Sequence, residues 1–229
     1  MRHRAWWIAP WRTGAVGRDL CYGAVTGFAM PTTVVLVLYA TGAISLIRSN
    51  ESVATVAVTA LTAVILTPIV EEVLARYLLL RFVEYLAGTW VAVAVTGVLF
   101  GAGHVAVAAA NDALPAALLY AVPGTLAGVL FAGAYLVTRT MWLPIALHAG
   151  WNLATNTVFG PDTFGSHRLI TVVPNAPAAI SGGVYGTDAS VLTSAMLLVV
   201  CAVVFTVAWR KGQMTSRHSK RHAPVSVAP

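Results

Sequence analysis

The chain has 229 residues, 58% of them hydrophobic and only 10% charged, with a formal net charge of +6 and a mean hydropathy of +0.79. Soluble domains carry about 25% charged residues, so the deficit of charge excludes an ordinary soluble globule. The basic excess comes with no DNA- or RNA-binding motif, so no nucleic-acid partner is expected; it reads as orientation and contact with an anionic lipid bilayer.

Six charge-free runs follow in chain order: Leu20–Ile47, Ser52–Val70, Tyr85–Asn111, Ala113–Thr138, Met141–Pro161 and Ala189–Trp209. Roughly 20 helical residues cross a hydrocarbon core, so each run predicts one span. The first run is too long for a signal-peptide core and is read as a retained anchor. Val73–Gly88 contains Arg76, Arg81 and Glu84, and is expected to add a short interfacial or half-depth helix. Cys21 and Cys201 both fall within predicted helices and read as small apolar residues rather than a disulfide.

The expected fold class is therefore all-α, a polytopic transmembrane helix bundle of about six spans. It is organised as a basic N-terminus (1–19), a membrane domain (20–209) and a basic tail (210–229). The tail, ending in "APVSVAP", has the composition of a disordered segment. The 160–188 stretch, rich in Pro and Gly, is expected to cap the outer face. Arg2, Arg4, Arg12 and Arg18 at one end, and Arg210, Lys211, Arg217, Lys220 and Arg221 at the other, put both termini in the cytoplasm by the positive-inside rule. Arg76, Arg81 and Arg139 then lie inside, and Asn111–Asp112 and 160–188 outside. Trp11, Trp90, Trp142 and Trp209 fall at cytoplasmic ends, where indole rings favour the headgroup boundary. Twelve arginines against two lysines, with abundant Ala and Val, suggest a GC-rich bacterial genome and hence a bacterial plasma membrane.

Within the spans the strongly polar side chains are few. Glu71, Glu72 and Arg76 belong to the second span, His104 to the third, and His148 with Asn152 to the fifth. Glu72 and Arg76 stand one helical turn apart and can pair. Glu71 points about 100° away from Glu72 and cannot make the same contacts. His148 and Asn152 share a face. Singly, each has a bland reading: a register-fixing ion pair, or a histidine satisfied by a carbonyl. Together, three helices each deliver groups that have no reason to face lipid, and one shared interior cavity is the cheapest arrangement. Gly97 and Gly101 near His104, and Gly124 and Gly128 later, have the spacing that lets helix backbones approach closely; the second pair is read as packing alone. Asn111, Asn156 and His167 sit at predicted ends or loops and are given no chemistry.

Such a set suits either proton-coupled transport or hydrolysis, in which a carboxylate takes a proton from water and other groups hold the oxyanion. No HExxH zinc motif occurs, and no Gly-x-Ser-x-Gly. Asp19, Asp112, Asp162 and Asp188 all lie at ends or in loops, which leaves no aspartate dyad. A Glu/His design remains.

"EEVLAR" (71–76), "FGAGH" (100–104) and "HAGWN" (148–152), in that order on separate apolar segments, resemble the EExxxR, FxxxH and HxxxN motifs of the CAAX-prenyl-protease and bacteriocin-processing (CPBP, or Abi) family of intramembrane proteases. The resemblance covers about residues 55 to 156. It implies an endopeptidase acting on a peptide or protein substrate at the membrane. By that resemblance Glu71 activates water and His104 helps to hold it. Glu72 and Arg76 form the supporting pair, and His148 and Asn152 stabilise the tetrahedral oxyanion. Many members have eight spans, against six here. A non-proteolytic membrane partner, as in bacteriocin immunity or scaffolding, and a small transporter are the alternatives. Family members have also been called metalloproteases, and zinc could be held by His104, His148 and Glu71. A metal-free route is favoured, because Asn152 is a poor zinc ligand. In addition, beyond Glu71 and Glu72 no carboxylate remains in the spans to orient ligating histidines.

Overall fold

The computed structural model describes residues 9–110, 114–161 and 167–214. Asn111–Asp112 and the end of the tail lie outside the described residues. Helix α1 spans Val16–Ala40, strand β1 Ile44–Arg48, and α2 Val53–Ala87. Helix α3 spans Thr89–Ala109, and α4 Leu118–Thr138, preceded by a helical turn at Leu114–Ala117. Helix α5, Trp142–Asn152, runs directly into a π-helical segment, Leu153–Val158. Strands β2 (Phe159–Gly160) and β3 (Ile170–Pro174) follow, and α6, Val191–Arg210, closes the bundle.

Helices α1, α2, α3, α4 and α6 are each long and apolar enough to cross a membrane. The fifth apolar run becomes α5 and its π extension, 11 and 6 residues, at the short end of the spanning range. Their outer faces carry Val25, Leu36, Val58, Ile65, Leu74, Phe82, Leu99, Val107, Val199 and Val203, all well exposed. Exposed apolar surface on this scale requires lipid around it. The protein is an integral, multi-pass, all-α membrane bundle.

Two sequence expectations change. The first run was expected to be helical to Ile47, but α1 stops at Ala40. Gly42 has φ +74 and donates its N–H to the Tyr39 carbonyl, while Ala43 donates to Leu38; a glycine in left-handed conformation is the usual helix stop. The β-rich "ISLIR" beyond it pairs antiparallel with β3, and β2 pairs parallel with β3, giving a small sheet ordered β1-β3-β2. The sheet ties the turn after α1 to the 160–188 segment, so both stand on the same side of the bundle. Second, Val73–Gly88 is no separate helix but the continuation of α2, with π-helical turns at Leu61–Leu66 and Val73–Leu80. Its charges are accommodated by partners: Arg139 makes two bonds to Glu84 at 2.7 and 3.0 Å, Thr89 donates to Glu84 at 2.6 Å, and Arg81 lies over the Tyr77 ring.

Close packing positions the site helices. A Cβ on Gly101 would meet Thr125 N at 2.7 Å, and one on Gly128 would meet Gly97 Cα at 3.0 Å. The two small-residue pairs of α3 and α4 thus face each other, in the close backbone approach that small residues allow. Helix α1 does the same to α5, because a Cβ on Gly27 or Gly150 would fall on the carbonyl of Leu147 or Ala24. Cys21 and Cys201 are free thiols.

Candidate active site

Glu72 and Arg76 are both fully buried, and Arg76 Nη1 donates to Glu72 Oε1 at 3.0 Å. The other guanidinium nitrogen donates to the Gly128 carbonyl at 2.8 Å. Gly128 therefore does more than pack: without a side chain it lets α4 present a backbone oxygen to the cation. The guanidinium also lies 4.9 Å from the Phe100 ring centre and 5.4 Å from that of Phe131. Three helices are thereby fastened around one charge.

His148 Nδ1 donates to the same Glu72 oxygen at 3.0 Å. Glu72, bound by Arg76, acts as an acceptor, so the Nδ1 position carries the proton. Phe131 stacks on the imidazole with ring centres 4.6 Å apart and planes inclined by 15°. The ring is fixed on two sides, and its free Nε2 faces Glu71 Oε2 at 3.9 Å. Glu71 differs from its neighbour in the way the 100° helical offset predicts. Its side chain is 36% exposed, and its Oε2 makes no hydrogen bond to any described residue.

His104 Nδ1 contacts the Phe100 carbonyl at 2.9 Å. A carbonyl only accepts, so Nδ1 bears the hydrogen and Nε2 keeps a lone pair. Asn152 Nδ2 donates to the Ala63 carbonyl at 2.9 Å, in the π-helical stretch of α2, and retains a second N–H. Two adjoining cavities connect these groups. The larger, about 560 Å³, is mostly apolar and is lined by Glu71, His104 and residues of α2 and α3. The smaller, about 110 Å³, is lined by His104, His148 and Asn152. His104 borders both, as do Phe100, Tyr120 and Asn156. The six polar residues singled out in the sequence thus gather around one place: four face the cavities, and Glu72 and Arg76 stand behind them.

Three residues at the site escaped the sequence reading. Asn156 follows His148 and Asn152 at the same four-residue step, a signal present in the sequence but assigned to a helix end. Tyr120 had no signal of its own. Asp188 sits in the 160–188 loop and left no local sign that it folds back onto the small cavity.

The metal question changes in one respect. Both histidines have the far nitrogen held, His148 by Glu72 and His104 by a backbone carbonyl, so orienting partners are present after all. A main-chain oxygen does for His104 what a carboxylate does for His148. Among the described residues, however, no three His, Cys, Asp or Glu side chains are grouped closely enough to hold a metal ion. Among the described residues, His104, His148 and Glu71 do not form such a group.

No curated protein and no solved structure matches the chain. Residues 53–154 match the family described as type II CAAX prenyl endopeptidase Rce1-like. That range begins at the start of α2 and ends two residues past Asn152, enclosing every one of the six motif residues. This stretch of the membrane protein is therefore similar to a family of type II CAAX prenyl endopeptidases.

Proposed function

We propose that the chain is an intramembrane endopeptidase in which Glu71 activates water against a peptide bond of a membrane-associated substrate. The observation that carries this reading is the division of labour between adjacent glutamates. Glu72 is neutralised by Arg76 and His148, while Glu71 keeps an unengaged oxygen at a cavity that His104 also lines. A water there can give one hydrogen to Glu71 and the other to the lone pair of His104 Nε2. Glu71 takes the proton as the water oxygen attacks the carbonyl, then returns it to the departing nitrogen. The second Asn152 N–H, and His148 Nε2 when protonated between its two carboxylate neighbours, supply donors for the oxyanion. The apolar walls of the larger cavity, among them Leu74, Leu79, Leu99 and Val107, suit a substrate segment entering from lipid. Prenylation of that substrate is not required by any group in the site. Both termini are placed in the cytoplasm of a bacterial plasma membrane, on the arginine distribution.

The test is purified full-length protein in liposomes with a library of membrane-anchored peptides, cleavage being read by mass spectrometry. Glu71→Gln should lower the rate by about 10²–10⁴-fold, the range for a lost general base, and should leave the protein folded because Glu71 anchors nothing. Cleavage by Glu71→Gln at the parent rate would end the proposal.

A further inference from the structure

The 160–188 segment brings one ionisable group to the site that the proposed reaction leaves unused. Asp188 lines the small cavity together with His148 and Asn152. Trp151, between those two residues in sequence, donates its Nε1–H to Asp188 Oδ2 at 3.3 Å. Asp188 Oδ1 is shut off from bulk solvent and makes no hydrogen bond to any described residue. The position is anchored on both sides. Thr193 donates to the Thr187 carbonyl at 2.6 Å, Ser190 caps α6, and Tyr120 donates to the Tyr185 carbonyl at 3.2 Å.

A charge inventory gives this carboxylate a meaning. No Lys or Arg lines either cavity, and Arg76 is engaged by Glu72. Among the described residues, Glu71 and Asp188 are thus left without a cation at the cavities, and a carboxylate shielded from solvent without one is costly. Burial pushes the Asp188 carboxyl up to about 6, with the neighbouring Trp151 and Thr155 holding it lower than burial alone would. A role confined to accepting from Trp151 would use one oxygen and strand the other. The cavity, about 110 Å³, compares with the roughly 10–15 Å³ needed by one water, and has room for a side chain. Its aromatic walls, Trp151 and Tyr120 among them, are good neighbours for a cation.

We infer that Asp188, with Trp151 and Tyr120, forms a subsite that selects a cationic side chain, Lys or Arg, beside the scissile bond of the substrate. The inference rests on the endopeptidase reading above and adds the chemical class that the site prefers. It also gives the 160–188 segment, outside the Rce1-like match, a part in specificity.

The experiment uses full-length protein in liposomes and paired membrane-anchored peptides that differ only in Lys or norleucine at each position flanking the cut bond. At one position the wild-type kcat/KM ratio should favour Lys by about tenfold, as for a hydrogen bond to a charged group. Asp188→Asn should bring that ratio close to one, and Asp188→Glu should retain a preference. The ratio is internal to each protein, so partial misfolding of a variant does not distort it. Ratios near one at every position in the wild type, or an undiminished ratio in Asp188→Asn, would overturn the inference. If the wild type cuts no peptide, the endopeptidase reading fails by itself, and the subsite is judged by saturation-transfer NMR with n-butylammonium. Signal in the wild type that is lost in Asp188→Asn upholds it, and equal signal in both proteins refutes it.

Discussion

Replacing Arg76 by Met is the sharpest probe of how the site is held. Arg76 and Glu72 are both fully buried, so the substitution leaves a carboxylate in a low-dielectric interior without its main counter-ion. Breaking one partner of such a pair costs about 3–5 kcal/mol. The Gly128 carbonyl also loses its donor, and an unsatisfied buried acceptor costs about 1–3 kcal/mol. These do not add in full, because His148 Nδ1 still donates to the same Glu72 oxygen. The expected loss is therefore near the lower bound of the pair estimate, about 3 kcal/mol. It is measured by reversible denaturant titration of the purified protein in mixed micelles. The double variant Arg76→Met/Glu72→Leu should recover part of that loss, since apolar replacement of both partners is often close to neutral, yet should stay inactive because His148 is no longer oriented. An Arg76→Met protein within about 1 kcal/mol of the parent, where most surface substitutions fall, would refute the argument that this ion pair fastens the three helices.

Gly101→Val places a side chain against Thr125 N, where a Cβ alone would already stand at 2.7 Å. It should destabilise by about 1–3 kcal/mol through overpacking, while Gly103→Ala, which meets nothing within 4 Å, should not; equal stability of Gly101→Val and the parent would count against the α3–α4 contact. Cleavage should survive exhaustive chelation, with no stoichiometric zinc found by elemental analysis. Activity that vanishes on chelation and returns with zinc would make His104, His148 and Glu71 ligands instead. For topology, Asn50→Cys and Lys211→Cys, both at exposed positions, should label from opposite sides of the membrane. Labelling from one side would overturn the six-crossing path.

Much of the site was legible in the sequence because charge is so rare there. Once the apolar runs define the spans, Glu71, Glu72, Arg76, His104, His148 and Asn152 stand out as groups that lipid cannot accept. Helical geometry alone separates the two glutamates into one that faces Arg76 and one that does not. The spacing of Gly97 and Gly101, and of Gly124 and Gly128, announces close contacts, though not that the two pairs would meet each other.

Other features depend on chain segments that are distant in sequence, and no local pattern reports them. "ISLIR" is apolar enough to continue a helix, and becomes a strand because Gly42 stops α1 and β3 offers a pairing edge 126 residues on from β1. Arg81 and Glu84 look too polar to cross, yet α2 runs on through them because Arg139 returns from the far end of α4. The Ala63 carbonyl that holds Asn152, the Phe100 carbonyl that holds His104 and the Gly128 carbonyl that holds Arg76 are main-chain atoms, which residue identity cannot flag. Asp188 shows the limit most plainly. In sequence it is one acidic residue in a polar loop, and only the fold of that loop over α5 turns it into a shielded carboxylate that accepts from Trp151. Residue chemistry settled which groups lipid would reject; tertiary packing decided which of them face one another, because burial and counter-charge belong to the assembled bundle and not to any one helix.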